Sequence, residues 1–359
     1  MYQPKFTITN AILRNIGHIE ACKEIIDHAP LLPYYEKKFQ DDAMVRTVHY
    51  GTHIEGNELD LTQAEKVLQG VDVPARDRDI QEVINYRRAM TAIDELGSKP
   101  RFRDEIEGNN ELSITEEFIK QLHKLTVEKI LPEEKCGVYR DKQVVIKNST
   151  TGEVSFRPPM PVAVVYQMED LIAFINSPES KDIHPILKSG SVHYEFVRIH
   201  PFVDGNGRVA RALSTLILFQ EGYDIRKFFS LEEYFDSNAG EYYAALQSVE
   251  KNDGDLTEWL SYFTQGLSIE LGKVREKVEH VSKDNRLREK LGGKPLMLSD
   301  RQLKIVEYIQ EAGYLQNQAF KSLFPMISED AVLLDLKELI QKGIIKKQGV
   351  TKGAKYVMS

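Results

Sequence analysis

The stretch His200-Pro-Phe-Val-Asp-Gly-Asn-Gly-Arg-Val-Ala-Arg211 decides how the rest of this 359-residue chain is read. It has the form of a loop that feeds a helix N-terminus. Gly205 and Gly207 bracket Asn206, so the backbone can turn tightly and approach a ligand closely. The first turn of the following helix offers free N–H groups and the positive end of a dipole, which together make an anion site. Arg208 and Arg211 share one face of that helix, where both can reach phosphate oxygens. Asp204 beside them suits Mg2+, which favours a few carboxylates plus substrate phosphates. His200 closes the preceding helix on the other side of the loop. Its imidazole titrates near neutrality, as a general base for a hydroxyl requires. A glycine-rich loop with arginines is by itself an ordinary polar turn. The case rests on base, metal ligand, turn glycines and paired arginines falling within one short segment.

Outward from this stretch, long periodic apolar segments predict a mainly α protein. Helices are expected over 5–30, 60–97, 114–130, 166–176, 185–199, 206–221 and 231–271, with a charged helical continuation over 268–290. Asp60 or Thr62 is the expected N-cap of the second, and Gly97 its stop. Ser113-Ile-Thr-Glu116 reads as a capping box for the third, and Gly222 as the cap of 206–221. The strand signal lies at 143–157. There Gln143–Ile146 and Glu153–Phe156 flank the polar turn Lys147–Gly152, and Pro158, Pro159 and Pro161 end the second strand. Such a hairpin must lie against the helical body, because alone it is marginal in water. Gly292-Gly293-Lys-Pro295 reads as a hinge. After it, 299–359 predicts a small domain of three helices (301–312, 316–323, 328–342) and two strands (344–348, 354–358). The expected organisation is therefore an N-terminal helical region 1–110, a core 111–268, a helical linker and hinge 269–298, and the terminal domain 299–359.

Apolar residues make up 42% of the chain and charged residues 28%, the values of a globular protein. No apolar run approaches the length of a membrane-spanning helix, and the N-terminus lacks the order of a signal peptide. A cytoplasmic protein is expected. Cys22 and Cys136 alone provide neither a disulfide framework nor a cysteine zinc site. The net charge of −8 argues against non-specific nucleic-acid binding by the whole chain. His184, His193, Glu195 and His200 lie near one another, but His193 and His200 are too far apart in sequence to share one face as metal ligands.

The segment 200–211 resembles the signature of the Fic family, His-Pro-Phe-x-(Asp/Glu)-Gly-Asn-Gly-Arg-x-x-Arg, at every specified position. The resemblance extends over roughly 45–265, with Gly137-Val-Tyr-Arg140 similar to the lead-in of the family's flap, the hairpin 143–157. It implies transfer of AMP from ATP to a Ser, Thr or Tyr hydroxyl of a protein, the chain itself included, with Mg2+. His200 is then the catalytic base and Asp204 the metal ligand. Val203, Gly205, Asn206 and Gly207 line the phosphates, Arg208 steadies them and Arg211 grips the γ-phosphate. The flap residues Val145, Ile146 and Lys147 would pin the target's extended chain by strand addition, Ile146 and Lys147 also bordering the nucleotide.

Thr52-His-Ile-Glu-Gly-Asn57 resembles the family's inhibitory motif, (Ser/Thr)-x-x-x-Glu-(Gly/Asn), whose glutamate pairs with the second arginine. Glu55 takes that place; four residues before it stands Gly51, where the pattern has a hydroxyl, with Thr52 or Thr47 as substitutes. Tyr242-Tyr243 resembles the aromatic pair near adenine, although Ala239 stands where many members carry arginine, and an aromatic pair is equally a core feature. The tail 299–359 resembles a winged helix. Ala331 and Leu334 replace the polar readers of its recognition helix, and Glu329 and Asp330 would face phosphates unfavourably. Protein contact or formation of a homodimer is therefore expected of it rather than nucleic-acid binding. Two other readings stay open: removal of AMP from modified protein, with Glu55 orienting water for His200, and a nucleotide-sensing transcription regulator.

Overall fold

The computed structural model describes residues 1–97, 113–147, 154–290, 299–325, 327–349 and 354–359. The chain is mainly α with a short β-hairpin, as the sequence predicts. The described residues form two units, Met1–Val281 and Ser282–Ser359.

In the first unit the helices are α1 (Asn10–Asp27), α2 (Pro33–His53), α3 (Leu61–Leu68), α4 (Asp77–Gly97) and α5 (Glu116–Val127). The hairpin β1 (Ile146–Lys147) and β2 (Val154–Phe156) follows. Then come α6 (Pro161–Asn176), α7 (Pro185–Ile199), α8 (Asn206–Gln220), α9 (Leu231–Ser237), α10 (Ala239–Lys251) and α11 (Thr257–Lys290), the last continuing past the unit's end. α7 and α8 are the centre: nearly every residue of each is buried, and they pack on one another, α7 also on α6 and α8 on α4 and α5. One hydrophobic core runs from Ile12 through Val83, Phe202 and Leu213 to Val278. It takes residues from both sides of the expected boundary at 110/111, which itself lies outside the described residues, as do the polar turn after Lys147 and the 292–295 hinge.

Several boundaries differ from the sequence reading for identifiable reasons. α2 was not expected. Its core-facing residues are Ala43, Thr47, Val48, His49, Gly51 and Thr52, so small and polar side chains replace the apolar stripe that marks a helix. The expected helix 60–97 is two helices, because Gly70 and Pro74 interrupt it. Asp60 caps α3 through a capping box with Gln63. α5 is capped by Thr115, whose hydroxyl accepts from Phe118 N, rather than by Ser113. Pro161 does not merely end a strand; it is the first residue of α6, where a missing N–H costs nothing. The stretch 231–271 breaks at Asn238, which leaves helical geometry (φ −145°) and caps α10 with its own side chain. It breaks again before Thr257, where α11 begins and runs without interruption through 268–290.

The second unit holds α12 (Asp300–Ala312), α13 (Phe320–Leu323), α14 (Glu329–Gln341), β3 (Ile345–Gln348) and β4 (Lys355–Met358). Ser299 and Gln302 form a capping box on α12, and Gly313 stops it in the left-handed region. β3 and β4 are antiparallel, and Leu315 pairs with Tyr356 in both directions at the outer edge of β4. Ile305, Ile309, Phe320, Val332, Leu336 and Leu339 close a separate core beneath them.

Candidate active site

The segment 200–211 forms a loop between two buried helices, and its own side chains and neighbours fix its shape. His200 ends α7 in the left-handed region (φ 51°), its N–H still bonded to Phe196 O at 3.0 Å. Asn206 folds the loop back: its Oδ1 accepts from Phe202 N and its Nδ2 donates to Phe202 O, both at 2.9 Å. Gly205 sits at φ 76°, and a Cβ there would meet Val127 Cγ1 at 2.8 Å. His123 of α5 stacks on Phe202 and bridges two backbones, with Nδ1 accepting from Gly137 N at 2.8 Å and Nε2 donating to Asp204 O at 3.1 Å. Arg140 braces the other side, its Nε on His200 O at 2.8 Å and its Nη2 on Pro159 O at 2.5 Å. The 200–211 loop and the base of the hairpin are thus held by one guanidinium.

His200 faces this loop with Nδ1 3.4 Å from Val197 O. A carbonyl only accepts, so Nδ1 carries the proton and Nε2 keeps its lone pair. Burial lowers the imidazole to about 4, against the smaller raising effects of Val197 O and Glu55. At neutral pH it is an uncharged acceptor.

Arg208 and Arg211 rise from the first turns of α8 and are both buried. Nε and Nη1 of each make no hydrogen bond among the described residues. Four buried donors at a helix N-terminus are a site for an anion with several oxygens. In this structure a carboxylate covers it. Glu55 Oε1 accepts from Arg211 Nη2 at 2.9 Å, and Glu55 lies so close over Gly207 that a Cβ there would come within 2.0 Å. Arg211 Nη2 also donates to Gly51 O at 2.7 Å. Gly51 carries no side chain because a Cβ would meet Tyr86 Cε1 at 2.3 Å. Tyr86 is fully buried and donates to Glu232 Oε1 at 3.1 Å. Burial holds the Glu232 carboxyl above its usual range. Of the two expected substitutes for the hydroxyl at 51, Thr52 turns its Oγ1 back to Val48 O and His49 O within α2.

Asp204 is half-buried. Burial pushes its carboxyl up, but Arg208, the Gly205 N–H and Arg78 outweigh that and hold it below the usual range. Its Oδ1 accepts from Gly205 N at 2.6 Å and lies 3.4 Å from Arg208 Nη2; its Oδ2 accepts from Arg78 Nη2 at 2.9 Å. Among the described residues no cluster of His, Cys, Asp and Glu could hold a metal unaided. One hard carboxylate oxygen beside an anion site fits Mg2+ that takes its remaining ligands from phosphate and water.

The other expected residues lie further out. Val203 is half-buried in the loop. Ile146 pairs with Phe156 and Lys147 with Val154, so among the described residues pairing begins at Ile146 rather than at Gln143, whose side chain reaches Pro158 O at 2.8 Å. Val145 precedes the hairpin with its side chain exposed, and that of Lys147 lies outside the description. Tyr242 is buried among Phe235, Trp259 and His193, its hydroxyl 2.9 Å from His193 Nε2, in a core position. Tyr243 is on the open side, its hydroxyl 3.4 Å from Ile54 O. Sequence reading missed Arg78, Glu82, His123 and Tyr86, and offered Arg140 only as part of a lead-in. The clue to Glu82, His123 and Tyr86 was buried polarity at core positions of α4 and α5, visible only once the helix faces are known, whereas Arg78 is exposed and gave no such clue.

Residues 113–218 match the model described as the Fic/DOC family. The chain is similar to the protein adenylyltransferase fic-1 of Caenorhabditis elegans, 31% identical over 218 residues, which is 60% of this chain and 38% of that protein. It is similar to protein adenylyltransferase Fic of Drosophila virilis, 31% identical over 191 residues, 52% of this chain and 35% of that one. The matched region thus spans well under half the length of these curated relatives. Among solved structures, a Fic family protein from Desulfovibrio desulfuricans G20 shares the fold over 100% of this chain and 98% of its own, with a TM-score of 0.66 at 23% identity. A fragment of C. elegans Fic-1 does so over 76% and 74%, with a TM-score of 0.56 at 23% identity.

Proposed function

The chain carries a Fic domain, and from that premise we propose that it transfers AMP from ATP to a hydroxyl of a protein side chain. One observation carries this reading: the guanidinium groups of Arg208 and Arg211 are buried on the first turns of α8, Nε and Nη1 of each making no hydrogen bond among the described residues, with a neutral histidine and a carboxylate on the same loop. That combination suits attack of a hydroxyl on the α-phosphorus of ATP: the hydroxyl proton goes to His200 Nε2, the bond from the α-phosphorus to the bridging oxygen breaks, and pyrophosphate leaves with its charge matched by the arginines. The backbone of Gly205–Gly207 and both arginines bind and orient the phosphates. Asp204 would hold Mg2+, which when bound offsets phosphate charge and helps align the chain. Ile146, Lys147 and Val145 would take the target's extended backbone along the hairpin edge.

Glu55 is the regulator in this reading. Its carboxylate lies against Arg211 where a γ-phosphate would otherwise sit, so a nucleotide must displace it or bind out of line. We assign the second unit a winged-helix form and a role in protein contact or homodimer formation, since Glu329, Asp330 and Leu334 are exposed on α14. No helix among the described residues is long and apolar enough to cross a membrane. Incubation with α-labelled ATP and Mg2+ tests the reading. Label should enter protein with the wild type, increase with Glu55→Gly and vanish with His200→Ala; no label with either of the first two removes it.

A further inference from the structure

The same turn that carries Glu55 is tied to a second side chain reaching into the site. Asn57, buried just past Glu55, donates to Asp79 O and to Glu82 Oε2, both at 3.0 Å. Arg76 reaches back to Gly56 O at 3.3 Å while pairing with Asp79 and Glu58. The end of α2 and the start of α4 are therefore one hydrogen-bonded unit. From its α4 half, Arg78 places Nη2 2.9 Å from Asp204 Oδ2 and Nε 3.0 Å from Glu82 Oε1. Glu82 in turn lies 3.5 Å from Arg208 Nη1. Around Asp204 the charged groups are thus Arg78, Arg208 and, one step out, Glu82.

We infer that Arg78 is the stand-in for the metal ion in the resting site, as Glu55 is for the γ-phosphate: a cation on Asp204 and an anion on Arg211, delivered by the start of α4 and the turn after α2, which Asn57 and Arg76 tie together. This rests on the nucleotide reading above and extends it to a residue that neither the signature nor the inhibitory motif contains. Three features support it. Arg78 bonds the Asp204 oxygen that neither Gly205 N nor Arg208 uses. Its side chain is 58% exposed, so it can swing out at small cost, as a displaceable occupant must. Asn57 and Arg76 couple it to Glu55, so moving the turn opens both subsites together. A bound metal on Asp204 Oδ2 and the Arg78 guanidinium exclude one another by charge and by space.

The test uses the full chain, a non-hydrolysable ATP analogue and Mn2+ as a spectroscopic probe. Bound Mn2+ is read from loss of the free-ion paramagnetic resonance signal in wild type, Arg78→Gln, Asp204→Asn and the double variant. Analogue affinity is measured separately in EDTA by calorimetry. Arg78→Gln should lower the Mn2+ concentration for half-saturation by about two- to fivefold, the worth of a partly exposed ion pair. It should leave analogue affinity in EDTA within about twofold. In the Asp204→Asn background, adding Arg78→Gln should make no further difference to Mn2+ binding. An unchanged or raised Mn2+ requirement in Arg78→Gln overturns the inference, making Arg78 a phosphate or target-protein contact instead. Failure of the analogue to bind wild type or Glu55→Gly under any condition removes the nucleotide reading itself, and is told apart because it involves no difference at position 78.

Discussion

Replacing Glu55 by glycine should raise AMP incorporation and lower thermal stability at once, and the opposed signs make it informative. Glu55 accepts one short hydrogen bond from a fully buried guanidinium, and a bond to a charged group contributes about 1.5–3 kcal/mol net. If a productively bound nucleotide must break it, that free energy is a penalty on every turnover. At about 1.4 kcal/mol per decade its removal predicts activation of roughly 10- to 150-fold. Arg211 should stay aimed, because its bond to Gly51 O comes from the α2 backbone, which the substitution leaves alone. The same loss leaves buried charge less well paired, so the folded state should weaken by about 1–3 kcal/mol, a fall in Tm of several degrees. The assay is labelled-AMP incorporation at matched protein concentration, with a thermal melt of the same samples. Unchanged or lower incorporation together with a lower Tm would refute the regulatory role while leaving the ion pair intact as a structural one. In that event, loss of label from purified AMP-protein on adding wild type would identify Glu55 as the water-orienting group of AMP removal.

His200→Ala should cost ~10²–10⁴ in transfer rate with nucleotide affinity largely kept; a near wild-type rate would exclude it as the base. Asp204→Ala should abolish the metal dependence of nucleotide binding, and activity that persists with the same Mg2+ requirement would contradict the assignment. Acid should destabilise the fold through its buried histidines. Burial lowers His123 to about 4 and His193 to about 3, while both titrate near 6.5 when unfolded. The unfolded chain therefore takes up protons first, so stability present above pH 6.5 is lost as pH falls toward 4, by up to about 3 kcal/mol for His123 alone. Denaturant midpoints that stay flat between pH 6.5 and 4.5 would refute this.

The sequence disclosed most about parts whose chemistry is local. Loop 200–211 carries its own turn residues, cap and charges, so its form and the helices beside it could be read directly. Helices α7 and α8 are buried nearly all round, and their bounds came within a residue. What could not be read was what the loop meets. α2 hid because its buried face is small and polar, and Arg78, His123 and Arg140 act across gaps of 60 to 126 residues. No periodicity reports a contact of that kind. The motif mismatch at Gly51 was visible, but its cause was not, since Tyr86 fills the space from a different helix.

That packing ties positions 51 and 86 into one heritable choice. A side chain at 51 demands a smaller residue at 86, and a smaller residue at 86 opens a hole beside the buried Glu232 and Arg211. Each single change passes through a clash or a cavity, whereas the paired change trades one filling for another. Descendants of this chain should therefore keep glycine with tyrosine or lose both together. Gly51→Ser alone should unfold the protein or loosen the site, where the same substitution combined with Tyr86→Ala is tolerated.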